Sequence, residues 1–216
     1  MAIELVGNAL CLDFTNTVNA RPVPTRDYLA AVEPTRRWAD AVGLPITEPA
    51  EQLAAGLPEA REVRETIYRS VQPLADGGEP PRPDLDQLAR WYTEAIGSAR
   101  LLRTGAGFGF DWPGVRTLRG LLWRVVASAV ALLTTGPLDR LGQCPSCGWL
   151  FLDTSRNRQR RWCSMATCGS REKARRYYHA GRSSAAGAPP DGGVRRQDPG
   201  LGDRTAGEHR LAVPPR

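Results

Sequence analysis

The sequence predicts a mainly helical α+β protein in three parts: a helical N-terminal domain with two small β-hairpins (residues 1–138), a small treble-clef-like four-cysteine zinc finger (139–181) and a disordered C-terminal tail (182–216). Three observations predict it. Apolar residues recur at helical spacing through most of the stretch from Arg26 to Thr135. Four of the five cysteines fall between Cys144 and Cys168. Beyond Gly181 the chain is dense in Gly, Pro, Ala and charge, too poor in apolar groups to offset a backbone ordering entropy of roughly 1–2 kcal/mol per residue.

Taken in order, the chain opens with two apolar pieces around Gly7-Asn8, and Leu10, Leu12 and Phe14 alternate with Cys11, Asp13 and Thr15 as in a half-buried strand. A first hairpin is expected there. Pro34 suits a first helical turn, with Trp38, Ala41 and Val42 as the apolar face before Gly43. A second helix is expected near Pro49 and a third from Pro58, with Ala60, Val63, Ile67, Val71 and Leu74 at helical spacing. The Gly- and Pro-rich run 76–83 reads as a loop, followed by an amphipathic helix from Asp84 to Ile96. Residues 99–103 and 108–112 flank Thr104-Gly105-Ala106-Gly107 and predict the second hairpin. The strongest helical stretch, Pro113 to Thr135, ends at Gly136-Pro137 and carries Leu118, Leu121, Leu122, Val125, Ala129, Leu132 and Leu133 on one stripe, as a central core helix would. The apolar run Val125 to Leu133 is shorter than the roughly 18–20 residues of a membrane span, and no targeting signal is seen, so a cytoplasmic location without membrane contact is expected.

The cysteines stand as Cys144-x2-Cys147 and Cys163-x4-Cys168, 15 residues apart. Two close thiolate pairs of this kind fit one tetrahedral zinc ion, and in a reducing compartment metal is favoured over disulfides. With Cys144, Cys147, Cys163 and Cys168 all ligating, no position is left for an activated water, so one structural zinc is expected. Trp149 to Asp153 should form the first strand of a zinc-bound hairpin and Trp162-Cys163 end the second. Between Leu141 and Arg182 nine basic residues face two acidic ones, a net +7 in a chain whose total is +6. An ordinary solvated surface mixes signs, and arginine prevails over lysine, as in phosphate and guanine recognition. On an extended segment Arg156, Arg158 and Arg160 would share one face and Arg161 the other. Arg171, Lys173, Arg175 and Arg176 would follow on a helix opened by Ser170.

The segment from Cys147 to Arg175 resembles the CGNR-type zinc finger of bacterial proteins, in which a Cys-Gly-Asn-Arg motif opens the terminal helix and DNA binding is inferred; here Cys168-Gly169-Ser170-Arg171 has serine for asparagine. Leu10-Cys11-Leu12-Asp13-Phe14-Thr15-Asn16-Thr17 is similar to the start of the ABATE domain that precedes this finger in a family of stress-induced transcription regulators. Together the resemblances cover most of residues 1–180 and imply a two-part regulator.

The expected function is therefore a zinc-dependent DNA-binding regulator, cationic through Arg156, Arg158, Arg160, Arg161, Arg171, Lys173, Arg175 and Arg176, with duplex DNA as partner. The N-terminal domain would sense a small effector or form a homodimer. The alternative is an interaction module gripping RNA or an acidic protein. Asp13, Asn16, Thr17, Asn19 and Arg21 either cap and turn the chain or line an effector pocket. Cys11, with no histidine near it in sequence, reads as a buried structural thiol. No glycine-rich phosphate loop, His-Glu metal motif or Ser-His-Asp arrangement is visible, so an enzyme is the minority reading.

Overall fold

The computed structural model describes residues 3–19, 21, 26–105, 107–114, 116–175 and 177. The expected tail and Arg176 lie outside them. The described elements are helices α1 (Leu10–Thr15), α2 (Val32–Ala41), α3 (Ala50–Ala75) and α4 (Arg82–Gly97), the antiparallel hairpin β1 (Arg100–Thr104) and β2 (Gly107–Asp111), helix α5 (Leu118–Thr135), a second antiparallel pair β3 (Leu141–Gln143) and β4 (Leu150–Leu152), and a terminal helix that opens as a π-turn (Met165–Gly169). Mainly helical with two small hairpins is thus the observed class, but the hairpins are not both where the sequence places them.

Leu10–Thr15 is a helix, not a strand. Its alternation misleads because Cys11, Leu12, Phe14 and Thr15 are all buried, among α3, α5 and β4, and a short segment buried nearly all round has no period to read. Asp13 fixes the entry: its carboxylate accepts the Gly7 N–H at 2.8 Å, and Asn8 takes φ 60°, a left-handed value that asparagine tolerates.

The two helices expected near Pro49 and Pro58 are one, the 26-residue α3. Pro58 forfeits one hydrogen bond and crowds the preceding turn, about 3 kcal/mol in an isolated helix. Here a continuous buried stripe, Leu53, Leu57, Ala60, Val63, Ile67 and Val71, outweighs it, each such side chain contributing about 1.5–3 kcal/mol when fully buried. Gly56 lets α5 come close, since a Cβ there would lie 2.7 Å from Leu118 Cδ2.

Helix α5 starts at Leu118 rather than Pro113. The Trp112 indole is tied to the Ala95 carbonyl at 2.7 Å, Gly114 turns the chain at φ +72°, and the Thr117 hydroxyl accepts the Gly120 N–H as the cap. By length and composition α5 could cross a membrane, with 18 residues at a mean hydropathy of 1.4. In this fold it is the helix on which α1, α3 and α4 all pack, and Leu121, Val125 and Ala129 are buried in their common core.

The metal module is built onto that core through β4. Leu150 and Leu152 belong to the helical core while Phe151, on the other face, joins Cys144, Cys147, Trp162, Cys163 and Cys168, as strand alternation requires. One edge of β4 pairs with β3. The other is held by the N-terminal segment: Leu152 N–H donates to the Gly7 carbonyl at 2.9 Å, Asn8 Nδ2 to the Leu152 carbonyl at 2.8 Å, and Asn16 takes both backbone groups of Leu150. Everything described through Tyr177 belongs to one compact unit.

Candidate metal centre and nucleic-acid interface

The first cysteine pair sits on a knuckle after β3. Gly148 N–H donates to the Cys144 carbonyl at 2.9 Å and Cys144 N–H to the Trp149 carbonyl at 2.8 Å, closing a turn that needs φ +73° at Gly148 and so favours glycine. The second pair comes from the opposite side. Asp153 closes the intervening loop by accepting the N–H groups of Ser155 and Arg160, both at 2.8 Å; a hydrogen bond from the Ser155 side chain, and after it these N–H groups, hold its carboxyl below the usual carboxylate range. This loop replaces the expected second strand, and the partner of β4 is β3, which precedes the first cysteine.

The Sγ atoms of Cys144, Cys147, Cys163 and Cys168 all lie within 4.8 Å of one another. Cys147 and Cys163 are 3.5 Å apart and Cys163 and Cys168 3.6 Å. Four sulfurs at about 2.3 Å from a tetrahedral zinc stand about 3.8 Å from each other, so the donor set fits one structural zinc. Hydrogen bonds from Cys147 and Cys163 favour the thiolate of Cys144, and the same bonds push Cys147, up to about 12, and Cys163 above the ordinary thiol range. Zinc binds the thiolate and not the thiol, so it displaces protons from these cysteines as it binds. Cys11 is different: burial raises its thiol to about 11, and its backbone N–H is tied to Ser128 Oγ at 3.2 Å, which marks a structural thiol.

The structure divides the basic residues by environment. Arg156, Arg161, Arg171 and Lys173 are exposed and make no ion pair among the described residues, Arg161 lying over the Trp162 ring at 5.1 Å. Arg158 pairs with Asp139 at 2.6 Å and Arg175 with Glu172 at 2.7 Å. Arg160 is turned inward, stacked on Phe151 at 4.3 Å and donating to the Val6 carbonyl at 2.9 Å, the Trp162 carbonyl at 3.2 Å and the Cys163 carbonyl. The expected row of Arg156, Arg158 and Arg160 on one extended face does not form, because Asp153 curls the segment and Arg158 takes φ 50°. Ser170 does not open the helix either. The π-turn begins at Met165, five residues earlier, and Ser170 Oγ donates back to the Met165 carbonyl at 3.0 Å from inside it.

The N-terminal polar cluster is tied to the frame. Asn16 Oδ1 accepts the Leu150 N–H at 3.0 Å and its Nδ2 donates to the Leu150 carbonyl at 2.8 Å. Thr17 Oγ1 donates to the Phe14 carbonyl and accepts from Arg64, and Asn19 Oδ1 accepts the Arg26 N–H. Arg21 lies on the Tyr68 ring at 3.9 Å and bonds Glu65 and the Thr15 carbonyl. Burial raises the Asp13 carboxyl despite its bond from Gly7. Sequence reasoning gave no hint of Arg64, 4% exposed, which forks onto Asp27 at 2.5 and 3.0 Å and reaches Glu65 at 2.7 Å. Its place in a buried helical stripe was the only available signal.

These features define a class: a helical domain carrying a four-cysteine zinc finger fused through a shared strand. Residues 8–136 match the model of the ABATE family, described as "Putative stress-induced transcription regulator", and residues 140–180 match the CGNR zinc finger. The chain belongs to the ABATE family and carries a CGNR zinc finger. Neither of these is an enzyme family. No curated protein matches the chain significantly.

Proposed function

We propose that the protein is a cytoplasmic, non-enzymatic transcription regulator that binds duplex DNA through its zinc finger. The observation that carries this reading is the set of exposed cations that have no acidic partner among the described residues, Arg156, Arg161, Arg171 and Lys173, on a module whose four cysteines are placed for one zinc. Arg158 stands beside them in an exposed pair with Asp139, which is worth little and exchanges readily for phosphate, and Arg175 is exposed although its partner Glu172 is largely covered. Arg160 supports the frame. Binding to duplex DNA, structured RNA and acidic protein, measured in competition at low salt, tests the reading. Preference for duplex DNA supports it, and preference for RNA or acidic protein establishes the interaction-module alternative instead.

We assign the homodimer contact to the β1–β2 hairpin. Phe108, Leu101 and Phe110 are exposed on one face of it, and a lone two-stranded hairpin is marginal in water, so a second copy covering this face stabilises both. Sedimentation of the wild type against Phe108→Ser checks this; a wild-type monomer at all accessible concentrations overturns it. Regulation by a small effector completes the proposal.

A further inference from the structure

Two clefts are lined by aromatic and basic residues of the helical part, and one of them also takes in residues of the finger. In the one beside α3 the cations are already paired, Arg64 with Asp27, Arg69 with Asp84, and Arg21 with Glu65 and the Thr15 carbonyl, although Arg21 Nη1 is buried without a hydrogen-bond partner among the described residues. The other, about 360 Å³, is different. Its walls include Trp149 from the knuckle, Tyr28 and Trp38 from the helical part, and Arg26 and Arg171, with Glu4 the acidic residue among them. Its volume is at the small end of the roughly 300–1,000 Å³ range of small-molecule sites.

The aromatic walls are set in advance. Trp149 Nε1 donates to the Val18 carbonyl at 2.7 Å, and Tyr28 is fixed at both backbone groups, its N–H to the Thr17 carbonyl at 2.9 Å and its carbonyl accepting Thr35 Oγ1 at 2.9 Å. The cations remain available. Among the described residues Arg171 has no ion pair or hydrogen bond, and the Arg26 guanidinium contacts Tyr28 alone, through a bond to its hydroxyl at 3.2 Å and a 5.8 Å approach to its ring. Arg171 is the arginine that closes the Cys168–Arg171 motif, so the motif points into this cleft as much as toward an external polyanion.

We infer that the cleft between Trp149, Tyr28, Arg26 and Arg171 binds a small aromatic oxyanion, its ring against the indole and phenol and its carboxylate or phosphate on the two guanidinium groups. Planar guanidinium donors match an oxyanion, and flat rings favour a flat apolar body. This deepens the effector reading given above and rests on it only for one consequence: a ligand holding Arg171 withdraws it from DNA, and so lowers DNA affinity.

The test is calorimetric titration of the zinc-loaded full chain, without DNA, with benzoate, adenosine monophosphate and inorganic phosphate. At least one aromatic oxyanion should bind with Kd below about 1 mM, and inorganic phosphate about tenfold more weakly or not at all. The benzoate and nucleotide arms separate carboxylate from phosphate heads. Arg171→Gln and Arg26→Gln, both exposed and away from the core, should each weaken binding about tenfold, the expected loss for one charge-assisted contact. Absence of binding by either aromatic at about 10 mM, equal affinity for inorganic phosphate, or unchanged affinity in both variants overturns the site. Ligand binding by a chain that ignores DNA would sink the regulator reading and leave the site standing; DNA binding without any ligand would do the reverse.

Discussion

Replacing Asn16 by alanine should unfasten the finger from the helical core. Asn16 satisfies both the N–H and the C=O of Leu150, at 3.0 and 2.8 Å, on a residue with 0% exposure. Alanine leaves two buried backbone groups without partners, about 1–3 kcal/mol each, so a loss of about 2–6 kcal/mol is expected. For a unit of this size that corresponds to a fall in Tm of roughly 5–20 °C. Asn16→Asp should do no better, since it sets a carboxylate oxygen against the Leu150 carbonyl in a buried place. Asn8→Gly is the control: glycine accepts the left-handed φ 60° of this position, so the change removes one bond to the Leu152 carbonyl from an exposed side chain, for about 0.5–1.5 kcal/mol. Urea denaturation and thermal melts followed by circular dichroism read all three. If Asn16→Ala stays within about 1 kcal/mol of wild type, or matches Asn8→Gly, then β4 is not a shared wall and the packing argument fails.

Chelation of zinc should lower the melting temperature of the whole helical unit in one transition, because Leu150 and Leu152 sit in its core; an unchanged helical melt beside a separate loss of the finger would refute that coupling. Arg160→Gln should destabilise the fold by about 1.5–3 kcal/mol while leaving the salt dependence of DNA binding unchanged, whereas Arg161→Gln should reduce that dependence and spare stability. Glu65 supplies a pH test. Burial works to raise its pKa, but Arg21 and Arg64 together hold it below the ordinary value of 4.5. Its pairing therefore contributes stability fully above pH 4.5 that is lost as pH falls through the lower folded value. Urea titrations from pH 7 to 3 should show Glu65→Gln with a flatter acid limb than wild type, and identical limbs would contradict the pairing.

What could be read from the sequence was what local chemistry decides. The cysteine spacing specified the metal centre because ligand chemistry depends on residue type and separation, and the long helices followed from apolar spacing. Errors came where tertiary burial overrode local signals: the alternation of Leu10, Leu12 and Phe14 inside a mostly buried helix, and Pro58 carried through by the stripe of α3. In the finger, a residue count could not reveal that Asp153 would curl the arginine segment and send Arg160 inward. The Asp13 to Arg21 cluster was conspicuous as a polar patch, but the partners that give it meaning, Leu150 at 134 residues from Asn16 and Glu65 at 44 residues from Arg21, are remote in sequence.

The most direct test of the central claim, a zinc-held finger that meets nucleic acid with its exposed arginines, is the affinity of the zinc-loaded full chain for duplex DNA across a salt series, followed by fluorescence anisotropy. Neutralising about three to five phosphates predicts that the logarithm of the binding constant falls linearly with that of salt concentration, with a slope of about −3 to −4.5. No binding at low salt, or an affinity indifferent to salt, would contradict the account.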